Sequence, residues 1–322
     1  MQTAYVLVSP CKDEARYIER TLESIERQTV KPVQWVIVDD GSTDDGMAIV
    51  ERYRERMPFI KVVHRSSGAR AVGPGVIRAF YEGLDHVDAP HDFLCKLDVD
   101  LELPPRYFEV MLQRMDADPH LGTCSGKSFY RHPGTGAPVN ELHGDEQSCG
   151  PIKFYRRACF EAIGGFESDV GWDGFDCHKA RWMGWRAQSW DDPGIRFEHL
   201  RPMGSSQNSV YSGRIRHGRG TWRIGTHPLF FLASALMRSV RQRPYVTGSA
   251  YAAYGYLQAA ASGAKRYGDP EMTRFIQRFQ LRALLHGKRA SAEQAFQERL
   301  AAKRQARAAS LPERAQPVHE RQ

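Results

Sequence analysis

The sequence lacks the segments that would carry it into or across a membrane. No window approaches the roughly 20 consecutive apolar residues of a transmembrane helix. The N-terminal stretch enters a strand pattern by Tyr5 and then turns charged, without the basic region, apolar core and small-residue cleavage site of a secretion signal. These absences predict a cytoplasmic protein.

Cysteine is sparse, and its spacing shows no pairing pattern. The 322-residue chain has six cysteines and no Cys-x-x-Cys pair, and no secretion signal points to an oxidising compartment. Hydrophobic residues make up 41% of the chain and charged residues 26%, which excludes both a disordered chain and a disulfide scaffold. We expect a globular protein with reduced, mostly buried thiols.

Acidic residues are scarce in the second part of the chain. From Arg201 to Gln322 there are 21 basic and 6 acidic residues, a net charge of +15, whereas residues 1–200 carry −8. A basic surface of this kind suits phosphates, an anionic membrane or nucleic acid, or is simply solvated. Since zinc-finger, RNA-recognition and helix-turn-helix signatures are missing, we do not expect a nucleic-acid partner.

Short apolar runs alternate with helical patterns over the first 130 residues, beginning with AYVLVS, YIERTLESIERQ and VQWVIVDD. This alternation predicts an α/β fold with a doubly wound, mostly parallel sheet and helices on both faces. Residues 132–148 are rich in turn formers and indicate a loop or hairpin insertion. We expect a catalytic domain over residues 1–204, a helical extension over 205–287 and a basic, flexible tail over 288–322.

Two carboxylates end the apolar strand pattern in FLCKLDVDLELPP. In an extended segment residues i and i+2 point the same way, so Asp98 and Asp100 share one side while Val99 faces the other. Such a pair suits Mg²⁺ or Mn²⁺, which take one or two protein carboxylates and complete their shell with water and phosphate oxygens. The alternative is a solvated turn or a helix N-cap.

An earlier strand pattern, VQWVIV, ends in Asp39 and Asp40. Ligands bind open parallel sheets beyond the carboxyl ends of the strands, where these side chains can accept hydrogen bonds from a nucleotide base or a ribose. The alternative is a turn and N-cap before the next helix. Both interpretations can hold together.

Later acidic and basic groups complete the candidate set. Asp173 and Asp176 lie three residues apart, near one face of a helical turn, and a carboxylate there could act as general base on a sugar hydroxyl, with N-capping as the alternative. His199 could complete a metal shell and Arg201 could hold a phosphate, although a lone histidine is more often structural.

Taken in order, VDDGSTD, KLDVDLELP, YRRACFEAIGGF, GWDGFDCHKARWMGW and FEHLRPMG resemble the family 2 glycosyltransferases, whose catalytic domain has the GT-A fold. The resemblance covers roughly residues 3–204. It implies transfer of a sugar from a UDP- or GDP-linked donor to an acceptor hydroxyl with inversion at the anomeric carbon. It also implies a Mn²⁺ or Mg²⁺ cofactor and a glycan or lipid-linked acceptor used in polysaccharide biosynthesis.

The resemblance also assigns roles to individual residues. Nucleotide binding falls to Pro10, Asp39, Asp40, Arg70, Lys96 and Asp98. The metal falls to Asp98, Asp100 and His199, phosphate binding to Arg201, and the general base to Asp173. Trp172 stands where the family commonly has a glutamate, and the spacing from Asp173 to Asp176 is one residue longer than usual, so Asp176 stays open as the base.

The basic C-terminal part mixes apolar and tyrosine-rich helical stretches with arginine and lysine, as interfacial helices do. It predicts contact with a membrane surface, and helices that pack on the catalytic domain are the alternative. The stretch RPYVTGSAYAAYGYL resembles a segment that follows the catalytic domain in bacterial polysaccharide-building family 2 enzymes, which implies the cytoplasmic face of the inner membrane. A nucleotidyltransferase acting on a sugar phosphate is the second candidate function. It lacks support because no Gly-rich, Lys-containing triphosphate loop stands near the N-terminus.

Overall fold

The computed structural model describes residues 4–65, 74–202 and 210–309, with side chains described up to residue 306. The strands are β1 (Tyr5–Cys11), β2 (Gln34–Asp39), β3 (Ile60–His64), β4 (Phe93–Leu97), β5 (Leu101–Glu102), β6 (Leu121–Gly126), β7 (Ser128–Arg131), β8 (Pro138–Asn140), β9 (Ile152–Arg156), β10 (Arg186–Trp190) and β11 (Phe197–His199). The helices are α1 (Ile18–Glu26), α2 (Gly46–Arg54), α3 (Pro74–Asp85), α4 (Tyr107–Ala117), α5 (Arg157–Ala162), α6 (Trp172–Trp182), α7 (Val210–Arg223), α8 (Pro228–Arg241), α9 (Tyr245–Ala261), α10 (Pro270–His286) and α11 (Lys288–Ala309).

Seven strands form the main sheet in the order β10-β6-β9-β4-β1-β2-β3. All neighbours are parallel except β9, which runs antiparallel to β4 and β6. The central strands β1, β2 and β4 are mostly apolar and almost entirely buried because helices cover both faces of the sheet. The predicted α/β fold with a mostly parallel sheet is confirmed.

A second, four-stranded sheet in the order β5-β11-β7-β8 was not predicted. Strand β7 ends directly before the insertion and pairs as an antiparallel hairpin with β8, which lies within it. Strand β11 lies between β5 and β7, and His199 pairs with Leu101. This register brings His199 beside Asp100, although the two residues are far apart in the chain.

The C-terminal helices pack in two different ways. Helices α7 and α9 cross closely at Gly218 and Gly255, where an added Cβ would lie 1.9 Å and 2.1 Å from backbone oxygens of the opposite helix. Helix α10 packs on α6 through a cluster of Phe175, Met272 and Ile276. Helix α8, in contrast, has no buried residue.

Residues 288–309, the first part of the predicted basic tail, form the helix α11 and pack against the catalytic part. Ala295 and Phe296 are buried, the ring of Phe296 lies under the guanidinium of Arg186, and Arg186 pairs with Glu293. Burial of these two side chains stabilises α11 in its place on the domain, although the other side chains of the helix are mostly polar.

All six cysteines are free and buried, as expected. Within residues 4–65, 74–202 and 210–309, no helix combines the length and apolar character needed to cross a bilayer.

Candidate active site

The carboxyl ends of β1 and β2 form one side of the candidate site. Asp39 ends β2, and its carboxylate accepts a hydrogen bond from the backbone N–H of Ser42 at 2.8 Å and lies 3.1 Å from His64 Nδ1. Burial raises the pKa of Asp39, but these hydrogen bonds outweigh it and hold the pKa below its usual value. The expected hydrogen bond of the turn is therefore present, and it uses the Oδ1 atom of the Asp39 carboxylate.

The neighbouring predicted nucleotide contacts lie at the same edge. Asp40 Oδ1 accepts a hydrogen bond from Arg65 at 2.8 Å, and Pro10 pairs with Val38 near the end of β1. Arg70, the remaining residue of this predicted group, lies outside the described residues.

Asp98 stands directly beyond β4 and pairs with the ammonium group of Lys96. Lys96 Nζ also donates to the carbonyl oxygen of Gly150 at 3.2 Å, which joins β4 to the segment before β9. The side chain of Asp98 keeps about a third of its surface exposed, at 32%, whereas that of Lys96 is buried. Burial and then the charge of Lys96 act in opposite directions on the pKa of Asp98, and burial prevails and raises it.

Asp100 is buried among charged groups. Its Oδ2 atom lies 2.6 Å from Arg201 Nε and 3.4 Å from His199 Nε2, and Arg201 also pairs with Glu14 at 2.6 Å. Burial alone would raise the pKa of Asp100, but His199 and then Arg201 outweigh it and lower the pKa to about 2. Arg201, predicted to bind phosphate, is thus engaged by two carboxylates in this structure.

The second carboxylate oxygen of Asp100, Oδ1, is available to a metal ion. Oδ1 is buried and has no hydrogen-bond partner among the described residues, although a buried carboxylate oxygen normally has one. The described chain holds no ready-made cluster of three or more His, Cys, Asp or Glu ligands. Magnesium and manganese need only one or two carboxylates when phosphate oxygens complete their shell, so Asp98 and Asp100 fit such an ion.

Asp176, one of the two candidate bases, is fully buried in an ion pair. Its Oδ2 lies 2.5 Å from Lys153 Nζ and also accepts a hydrogen bond from the hydroxyl of Tyr155. Burial alone would lower the pKa of Lys153, but the charge of Asp176 outweighs it and raises the pKa above its usual value. Asp176 is 1% exposed, so its carboxylate is removed from the surface that a substrate would contact.

Asp173, the other candidate, is only partly buried and faces the strand ends. A Cβ added to Gly150 would lie 2.6 Å from Asp173 Oδ2, so the absence of a side chain at Gly150 makes room for the carboxylate. Burial raises the pKa of Asp173, with Asp176 adding to the effect and Lys153 opposing it. Because Gly150 also bonds to Lys96, Asp173 and Asp98 flank one backbone segment.

Two side chains of the site were missed by sequence reasoning. Lys153 lies in the apolar strand IKFYR, and a lone lysine inside a buried strand is a signal that could have found it. Glu141 follows β8 and contacts His199 at 3.0 Å. It stands in a loop-rich insertion, where the chain pattern offers no comparable signal.

The chain resembles known glycosyltransferases in sequence. Residues 6–164 match the family model described as glycosyl transferase family 2. EpsH of Bacillus subtilis (strain 168), which is named as a glycosyltransferase, is 28% identical over 147 residues, which are 45% of this chain and 39% of EpsH. The chain therefore spans well under half the length of this curated relative.

Solved structures share the fold at lower identity. The mannosyltransferase PcManGT from Pyrobaculum calidifontis matches with a TM-score of 0.51 and 20% identity, covering 94% of this chain and 88% of that chain. Residues 1–349 of S. aureus TarS match with a TM-score of 0.54 and 18% identity, covering 94% and 92%. These likenesses identify the GT-A fold.

The buried pair yields a stability prediction. We expect Asp176→Asn to lower the free energy of unfolding by about 3–5 kcal/mol, because it leaves the Lys153 ammonium buried without a counter-charge. Asp173→Asn, the matched control on the same helix, should change it by less than about 1 kcal/mol. Urea denaturation of both variants measures the difference, and equal stability of the two would contradict the structural role of Asp176.

Proposed function

We propose that this chain is a family 2 glycosyltransferase that moves a sugar from a UDP- or GDP-linked donor to an acceptor hydroxyl with inversion at the anomeric carbon. One observation carries the proposal. Asp98 and Asp100 stand at the carboxyl end of a central strand, with an unbonded buried oxygen on Asp100 and with Asp173 across Gly150. Acidic groups converge there on a position where a diphosphate and a reacting hydroxyl can meet.

The donor side uses the edge formed by β1, β2 and β4. Asp39 and Asp40 would receive the base and ribose, with Pro10, Lys96 and Arg70 as further nucleotide contacts. Nucleotide sugars are held by two proteins of the same fold, since PcManGT was solved with GDP-Man and Mn²⁺ and TarS with UDP-GlcNAc. Their two different nucleotides leave both UDP and GDP as candidates for this chain.

Asp98, Asp100 and His199 would hold Mn²⁺ or Mg²⁺. Such an ion, when bound, neutralises charge that develops on a diphosphate leaving group. Arg201 lies next to Asp100 and would contact the same phosphates once Asp100, one of its two present carboxylate partners, engages a cation. The proposal therefore assigns all four side chains to the diphosphate end of the donor.

Asp173 is our proposed general base. It takes the proton of the acceptor hydroxyl as the hydroxyl oxygen bonds to the anomeric carbon, and the bond from that carbon to the diphosphate breaks. A raised pKa brings the carboxylate closer to the range in which a base is effective near neutral pH. Asp176, held by Lys153, is instead assigned to positioning the helix that carries Asp173.

Donor binding is the first experiment. We expect UDP or GDP, at about 100 times its Kd with Mn²⁺, to add about 2.7 kcal/mol to the free energy of unfolding and so raise the melting temperature. Asp98→Asn should remove the part of the rise that depends on the metal, whereas Asp116→Asn, an exposed carboxylate on α4, should keep it. Thermal denaturation with each nucleotide, with and without Mn²⁺, measures this. If neither nucleotide stabilises the protein, the proposed donor site is wrong.

The base assignment is tested separately. Asp173→Asn should slow turnover of the donor by about 10²–10⁴-fold, since the acceptor proton then has no carboxylate to receive it. Donor binding should stay within about twofold, because the side chain lies on the acceptor side. Release of the nucleoside diphosphate, with a membrane lipid extract as the acceptor source, measures the rate. Undiminished turnover would exclude Asp173 as the base.

For the acceptor we propose a lipid-linked glycan of polysaccharide biosynthesis, reached at an anionic membrane surface. Helices α8 and α9 expose an unusually large set of apolar and aromatic side chains, here called the apolar face: Leu229, Leu232, Leu236, Met237, Val240, Tyr245, Val246, Tyr251, Tyr254 and Leu257. Most apolar patches of this kind on soluble proteins are contact surfaces.

The spacing and surroundings of the apolar face support a bilayer as its partner. Leu229, Leu232, Leu236 and Val240 recur every three or four residues and so lie along one side of α8, and Val240 is 73% exposed. Arginines stand at the end of that helix, and the whole part from residue 201 onwards carries +15. Tyrosines and basic side chains both suit the headgroup layer of an anionic membrane.

Membrane contact can be measured with vesicles. We expect the protein to float with vesicles of phosphatidylglycerol and phosphatidylethanolamine. The paired substitutions Leu236→Glu and Val240→Glu should weaken vesicle binding at least about tenfold, because two apolar side chains that would be buried in the bilayer are lost. Leu285→Glu is the matched control, since Leu285 is 79% exposed on α10 outside the apolar face. Absence of vesicle binding, with dimers that the paired substitutions dissociate, would assign the face to a second copy instead.

A further inference from the structure

We propose that Glu141 is a positioning residue that orients His199 toward Asp100 and so raises the metal affinity of the site. The inference rests on the proposed function, in which His199 and Asp100 hold the metal. Glu141 lies in the insertion after β8, 58 residues before His199 in the chain.

The imidazole of His199 lies between two carboxylates. Nδ1 is 3.0 Å from Glu141 Oε2, and Nε2 is 3.4 Å from Asp100 Oδ2. All three side chains are at most 6% exposed. A ring held at Nδ1 cannot rotate without breaking a buried hydrogen bond, so the contact from Glu141 fixes which nitrogen faces Asp100.

The backbone holds Glu141 in this place. Its N–H donates to the carbonyl oxygen of Ser128 at 3.2 Å, and Ser128 pairs with Phe197 two residues before His199. The next residue, Leu142, has a positive φ of 58°, and its N–H bonds to the side chain of Asn140 at 2.7 Å. A residue of this type adopts such a φ only under constraint. The insertion and β11 thus form one frame around the ring.

A carboxylate is the group best suited to this position. When a histidine binds a cation through one ring nitrogen, a carboxylate on the other nitrogen fixes the tautomer and makes the ring a stronger ligand. A residue with a purely structural role would not need to act through His199. This difference makes the inference testable apart from activity.

The test is the affinity of the purified protein for Mn²⁺, titrated by calorimetry alone and with UDP or GDP. We expect Glu141→Gln to weaken Mn²⁺ binding about 10–100-fold. Glu198→Gln is the matched control, because Glu198 lies next to His199 on β11 but pairs with Arg131 at 3.0 Å. The Mn²⁺ affinity of the Glu198→Gln variant should stay within about twofold of that of the unchanged protein.

A double-variant cycle separates positioning from a structural effect. With His199→Ala already present, Glu141→Gln should cause no further loss of Mn²⁺ affinity, since its effect passes through the ring. An equal loss in both backgrounds, or unchanged affinity in Glu141→Gln alone, would overturn the role of Glu141. If the unchanged protein binds no Mn²⁺ with either nucleotide, the failure lies instead in the proposed metal site.

Discussion

The arrangement of the candidate site depends on one buried ammonium group. Lys153 lies in β9, between β4 and β6, and its side chain has no exposed surface. A charge there is tolerated only when a counter-charge and further acceptors surround it. Asp176 supplies the counter-charge, and the carbonyl oxygen of Asp173 accepts a second hydrogen bond at 2.6 Å. The first turn of α6 is thereby bound to the sheet, which sets where the side chain of Asp173 can point.

A comparable constraint acts on the other side of the strand ends. Asp100 is buried, and the charges around it alternate in sign through Glu14, Arg201, Asp100, His199 and Glu141. These residues come from four parts of the chain, and the insertion of β11 between β5 and β7 brings Asp100, His199 and Glu141 together. Each charged group lies beside groups of opposite charge. The network as a whole can therefore be buried, although a single charge there could not. The small sheet therefore supports the part of the site to which we assign the diphosphate.

Much of the fold could be predicted because the signals were local. Apolar runs placed the main strands, and the predicted C-terminal helical extension is present as α7 to α10. The small sheet escaped prediction because β5 and β11 have only two and three residues and are specified by partners distant in the chain. Glu141 escaped for the same reason. The positions at which β2 and β4 end can be predicted from their apolar patterns. The ion pairs that orient the carboxylates cannot, because they join residues that are brought together only in the folded structure.

The basic C-terminal helices also help to position the candidate site. They reach the segment before α6 directly, since Arg223 pairs with Asp169 at 2.5 Å and the hydroxyl of Tyr267 donates to the carbonyl oxygen of Val170 at 3.0 Å. Gly171 has a φ of 90°, which disfavours any other residue, and it lies against Gly220 of α7, where an added Cβ at the two positions would lie 3.2 Å and 3.1 Å from the nearest atoms. The extension thus holds the segment that leads to Asp173 on one side and presents the apolar face and its arginines on another. If an acceptor binds to the apolar face, its position relative to Asp173 would consequently be fixed by the contacts of α7 with the segment before α6.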